Sequence, residues 1–168
     1  MATTPEIKSI FAEHDESLYW MALVITADAE LAKRSIISAS GLAATAGGVF
    51  RDWLSQWAHM ATARMAVQAV KEPILAAAVC YSDWICKHSS HDVLEEQQIN
   101  ALRNLDPRAI ARDLDPLARA ILVLHGCHHA SISDCAILLS VTRKYVLRAY
   151  CHVLQWRCGN IRGCNFGK

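Results

Sequence analysis

The sequence predicts an all-α fold of two small helical domains, the C-terminal one holding a helix-turn-helix. Three observations predict it. Apolar residues recur at helical spacing along most of the 168 residues, and no alternating run bounded by turn residues reads as a strand. Helix breakers are few, with 7 Gly and 4 Pro. The stretch SISDCAILLSVTRKYVLRAY, residues 131–150, stops an apolar run at Leu139, pauses over Ser140, Val141 and Thr142, and restarts with Arg143-Lys144.

The elements follow in order. A first helix is predicted over residues 5–25, with Ile7, Ile10, Phe11, Leu18, Met21, Ala22 and Ile25 on one broad stripe. TADAE breaks it, and Thr26 or Asp28 can cap the next helix through a side-chain oxygen. That second helix carries Leu31, Ala32, Ile36, Ile37 and Ala39, fades at SASGLAATAGG and stops at Gly47-Gly48. A third runs from residue 50 to about residue 70, and Pro73 opens a fourth that reaches Lys87. HSSHD marks a boundary, after which Asp92 is a candidate N-cap for VLEEQQINALRNL. Two Leu-Asp-Pro tripeptides come next, at Leu105-Asp106-Pro107 and Leu114-Asp115-Pro116. In each, Asp caps and Pro takes the first helical position. The second opens LARAILVLHGC, an apolar helix ended by Gly126. The predicted organisation is a helical domain over 1–87, a linker and helix over 88–105, a helix-turn-helix domain over 106–158, and a Gly-rich tail over 159–168.

In the quoted stretch, Ser131 or Ser133 caps a helix whose buried side is Ile132, Cys135, Ala136 and Leu139. Ser140 sits at the turn, Val141 plugs the core beneath it, and Thr142 can cap the second helix. Val146, Ala149, Tyr150 and Val153 face inward, which leaves Lys144, Arg148, Cys151 and Gln155 on the opposite face, although Cys135 and Cys151 are read as buried or interhelical small apolar groups in place of metal ligands. In a helix-turn-helix the second helix enters the major groove, and its early residues reach base edges and phosphates. Thr142, Arg143, Lys144, Tyr145 and Arg148 are therefore the candidate DNA-binding residues.

Charge agrees with that reading. Net charge is only +1, but residues 1–105 hold 8 Lys+Arg against 12 Asp+Glu, and residues 106–168 hold 9 against 4. A basic second half after an acidic first half predicts a polyanionic partner for the second.

The same residues carry a family resemblance. LDPLARAILVLHGCHHASISDCAILLSVTRKYV resembles region 4 of the extracytoplasmic-function sigma factors of bacterial RNA polymerase, through Leu114, Pro116, Arg119, Leu124, Ser131, Asp134, Ala136, Leu139, Val141, Thr142 and Val146. FAEHDESLYWMALVITADAELA and FRDWLSQWAHMATARMAV resemble region 2 more faintly, the latter through Phe50, Trp53, Leu54 and Ala58. The resemblance implies a sigma-like transcription regulator that binds duplex promoter DNA, with core RNA polymerase and an anti-sigma or other protein as further partners. It places Lys33, Arg34 and Ile37 on the polymerase-facing surface, where the family carries an acidic pair and a Gln-Glu pair. Like charges across an interface cost several kcal/mol, so this reversal predicts a poor sigma factor or none. The alternative is a diverged sigma-like protein that no longer binds polymerase and serves as a protein-interaction module.

Other signals weigh less. The start lacks a basic head and an apolar stretch, so no secretory leader is expected, and no run is long enough to span a membrane. Seven scattered Cys, an odd number, predict reduced thiols in a cytoplasmic protein. Cys86, His88 and His91, the cluster His125-Gly126-Cys127-His128-His129, and Cys158 with Cys164 lack the paired close spacing of a zinc site. No phosphate loop, nucleophile elbow or catalytic triad can be assigned, so neither cofactor nor enzymatic activity is expected. The five Trp are read as mostly core, with Trp53 and Trp57 on one packing face.

Overall fold

Short polar caps set where most helices start. The computed structural model describes residues 1–45, 50–86 and 93–160. Among them every regular element is helical: α1 (Thr4–Glu13), α2 (Asp15–Thr26), α3 (Ala29–Thr45), a 3-10 turn (Arg51–Trp53), α4 (Leu54–Ala69), α5 (Lys71–Val79), α6 (Glu96–Arg103), α7 (Pro107–Asp113), α8 (Pro116–Ile121), a π-helical segment (Leu122–Cys127), α9 (Ile132–Leu139) and α10 (Arg143–Asn160). None of these helices is long and apolar enough to cross a membrane.

The chain divides into two compact units, the first comprising Met1–Val70 and the second beginning at Lys71. In the first, α2, α3 and α4 pack on one another and α1 lies against α3 and α4. The expected long first helix is two helices. The chain bends at His14 (φ −105°, ψ 11°), which ends α1 and starts α2. Thr3 opens α1 with a reciprocal cap, its backbone N–H donating to Glu6 Oε2 at 2.7 Å. Asp28 is the cap of α3, accepting from the Leu31 N–H at 2.9 Å. Thr26 turns back instead, its hydroxyl donating to the Ala22 carbonyl at 2.8 Å. α3 continues to Thr45, within the small-residue stretch over which the second predicted helix was expected to fade, and Gly47-Gly48 lie outside the described residues. Trp53 is 65% exposed and meets Phe50 edge to face, so it is not a core residue.

In the second unit α8 is central. It is packed by α5, α7 and α10, and α9 lies against α5 and α10. The expected fourth helix is shorter than the pattern promised: α5 ends at Val79 and the chain runs on through turns to Asp83. Ile74 and Ala78 bury its inner side, while Leu75 and Val79 stay exposed. Asp92 lies outside the described residues, and α6 is capped by Glu95, whose N–H donates to Gln98 Oε1 at 3.0 Å. Both Leu-Asp-Pro starts behave as expected. Asp106 accepts from the Arg108 N–H and Asp115 from the Ala118 N–H, each at 3.0 Å, with Pro at the first helical position. Arg119 is buried and donates to the Leu114 carbonyl at 2.9 Å, tying α8 to the end of α7. Gly126 does not end a helix. It lies within the π-helical segment, where a Cβ would come within 2.8 Å of Leu94 Cδ1, so a larger residue there requires the flexible end of Leu94 to shift.

Candidate nucleic-acid interface

The site is built on α9, a tight turn and α10. The Ser131 hydroxyl caps α9, accepting from the Asp134 N–H at 3.0 Å. Cys135 and Leu139 are buried, while Ile132 and Ala136 are half-buried. The helix ends at Ser140 in the left-handed region (φ 56°, ψ 38°). The Ser140 N–H donates to the Ile137 carbonyl at 3.3 Å and the Val141 N–H to the Ala136 carbonyl at 3.1 Å. Those two bonds satisfy carbonyls that a helix C-terminus otherwise leaves open. The chain then turns at Thr142 into α10.

The inward face of α10 is as the periodicity predicts: Val146, Ala149, Tyr150 and Val153 are buried. Tyr150 meets the His125 ring edge to face at 4.4 Å between centroids, and His125 Nδ1 pairs with the Ala130 carbonyl at 2.7 Å. Burial of this face leaves Thr142, Arg143 and Lys144 exposed at the start of the helix, with Tyr145 half-buried beside them. No acidic residue lies in this first turn, and neither cation has an ion-pair partner among the described residues. Helix dipoles place partial positive charge at N-termini, so two cations there add to a field that attracts an anion.

Arg148 is placed differently from the expectation. One turn beyond Lys144, Arg148 is half-buried and Nη1 donates to the Tyr81 carbonyl at 2.6 Å and also to the Ser82 carbonyl. Cys151 is buried and disulfide-bonded to Cys86. The expectation of reduced thiols is corrected at this pair, while Cys80, Cys127 and Cys135 are free. Residues 81–86 therefore lie along the side of α10 that was expected to face DNA.

A polar cluster anchors the beginning of that segment. The Tyr81 hydroxyl donates to Asp115 Oδ2 and lies 2.8 Å from His152 Nδ1. With the phenol proton committed to the carboxylate, Nδ1 is the donor of the second bond. His152 Nδ1 is 3.6 Å from Asp115 Oδ2, an electrostatic neighbour more than a hydrogen-bond partner. Trp84 covers the His152 ring at 5.0 Å. Burial pushes the Asp115 carboxyl up, but His152, Tyr81 and the Ala118 N–H outweigh it and hold it below the ordinary value. Burial, with Asp115 beside it, raises the Tyr81 phenol. Nothing in the sequence pattern singled out Tyr81 or His152, which are 71 positions apart.

The other predicted surface lies on α3. Lys33, Arg34 and Ile37 are all exposed, Ile37 at 70%. Lys33 Nζ is 3.3 Å from Glu30 Oε1. Among the described residues no three of His, Cys, Asp and Glu are grouped to hold a metal ion. His88, His91 and Cys164 fall outside them. No protein-family model matches the chain, and neither a curated protein nor a solved structure matches it.

Proposed function

We propose that this chain is a sigma-factor-like transcription regulator that binds duplex promoter DNA through α9 and α10. One observation carries the reading. Behind the left-handed turn at Ser140, α10 buries Val146, Ala149, Tyr150 and Val153 and leaves Thr142, Arg143 and Lys144 exposed in a first turn without acidic residues. A helix held this way can offer its N-terminus to the major groove, as the second helix of a helix-turn-helix does. Two phosphate contacts give a slope of log affinity against log salt of about −1.8. Titration of a labelled promoter duplex with the full chain at several salt concentrations tests it. Affinity independent of salt, or unchanged in an Arg143→Glu, Lys144→Glu variant, overturns it.

A second reading has its own support. Arg148 is engaged by backbone carbonyls, and Ile37 is exposed beside Lys33 and Arg34. A sigma-like protein with that surface would act as a protein-interaction module, binding an anti-sigma or other protein in place of polymerase. A pull-down with core RNA polymerase separates the two: retention on core supports the sigma-like regulator, and loss of retention with a discrete partner captured through α3 supports the module.

A further inference from the structure

We propose that residues 80–86 are a thiol-controlled latch over the DNA-facing side of α10, closed by the Cys86–Cys151 disulfide and opened by a dithiol reductant. The latch rests on the DNA-binding reading above and names how that site is regulated. Lys144, Arg148 and Cys151 follow one another at helical spacing on one side of α10. The first is exposed, the second is held by the Tyr81 and Ser82 carbonyls, and the third is joined to Cys86. The crosslink and the engaged cation thus belong to the same stripe as the free one.

Burial holds only part of the segment. Tyr81 is buried against Asp115 and His152, and Trp84 is half-buried. Ser82, Asp83, Ile85 and Cys86 are exposed. Exposed backbone with few packed side chains opens easily unless it is tied down, and the disulfide is the tie at its far end. Once the tie is cut, a DNA phosphate competes with two neutral carbonyls for the Arg148 guanidinium. A full negative charge makes the stronger, charge-assisted bond.

The chemistry balances as thiol–disulfide exchange. A thiolate of the dithiol attacks Sγ of exposed Cys86, the Cys86–Cys151 bond breaks, and Cys151 leaves as a thiolate that takes up a proton. The second thiol of the reductant then displaces Cys86, which leaves as a thiol, and the reductant closes to a cyclic disulfide. Two electrons pass to the protein. Cys127 and Cys135 do not compete, because burial pushes both thiols up to about 12 and leaves little thiolate at neutral pH.

The experiment is the salt titration of DNA binding, run on the full chain after air oxidation, after reduction with dithiothreitol, and on Cys86→Ser and Arg148→Gln. Thiol alkylation read by mass spectrometry verifies the redox state, and circular dichroism verifies that each variant is folded. Reduction should tighten binding and steepen the salt slope by about 0.9, the signature of one more phosphate contact. Cys86→Ser should bind like the reduced protein with or without reductant. Arg148→Gln should bind alike in both redox states. Equal slopes for oxidised and reduced wild type, with DNA binding intact, overturn the latch and leave the DNA reading standing. So does alkylation showing Cys86 and Cys151 unpaired after oxidation. Absence of binding in every state, Cys86→Ser included, overturns the DNA reading and the latch together.

Discussion

Two junctions in this chain share a backbone device and differ in charge. At Ala27 (φ 55°) α2 ends in the left-handed region and α3 begins two residues later. At Ser140 (φ 56°) α9 does the same, and α10 begins three residues later. Each junction leads into a helix with adjacent cations, Lys33-Arg34 in one and Arg143-Lys144 in the other. In α3 the acids come first: Asp28 caps the helix and Glu30 stands in its first turn, so the dipole is matched before the cations appear. In α10 the cations themselves occupy the first turn. The same turn therefore gives a charge-matched helix start in one place and an anion-attracting one in the other. What differs is where the charge falls along the helix.

The comparison can be broken or sharpened by experiment. The largest effect should come from the packing the junctions share. Ile25→Ala ahead of the first turn and Leu139→Ala ahead of the second each remove a fully buried side chain, and each should cost about 2–5 kcal/mol in denaturant unfolding. An unshifted midpoint for either would deny that its junction is packed as described. Charge reversal should then separate them. Arg143→Glu with Lys144→Glu should erase a salt slope of about 1.8, whereas Lys33→Glu with Arg34→Glu should leave DNA binding as it was. Equal losses from both pairs would end the distinction.

Acid should act on the second junction's neighbourhood through Asp115. Its folded carboxyl is held below the ordinary 3.8, so it contributes stability that is present above that value and lost as pH falls through the lower folded value. Asp115→Asn should flatten this limb of the stability curve below about pH 4, seen by denaturant unfolding at stepped pH. An unchanged acid limb would remove Asp115 from the account. The smallest effect should be at the turns themselves. Ala27→Gly and Ser140→Gly relieve the left-handed penalty but loosen the unfolded chain, so each should raise stability by up to about 1 kcal/mol. A loss at either site would mean that the native side chain makes a compensating contact.

Much of the fold was legible because its signals are local. Asp106, Asp115 and Ser131 cap within three residues of themselves, the Leu-Asp-Pro starts need only their own sequence, and the buried stripe of α10 follows from helical period alone. The bend at His14 was missed because Phe11 and Leu18, on either side of it, stay in helical phase seven residues apart. The candidate site was half legible. Thr142, Arg143 and Lys144 stand exposed where the spacing puts them. Arg148 does not, because its partners are backbone carbonyls, which leave no trace in a side-chain pattern. The Cys86–Cys151 pair, 65 positions apart among seven cysteines, could not be chosen from spacing.

The π-helical segment Leu122–Cys127 has a consequence for chain length. The His128 N–H reaches back to the Val123 carbonyl at 3.1 Å, a bond that spans one residue more than the α-helical ring. The segment therefore holds a surplus residue, and the surplus rotates everything after it by about one residue's turn relative to α8. It behaves as a spacer in phase. A one-residue deletion within it could be absorbed by tightening to α-helical bonding, whereas the same deletion inside α10 would swing Val146, Ala149 and Val153 out of the core. A side chain brought to the place of Gly126 displaces the flexible end of Leu94, whose Cδ1 lies 2.8 Å from the Cβ position. The segment is thus a point where the chain can change length by one residue and keep its helical character.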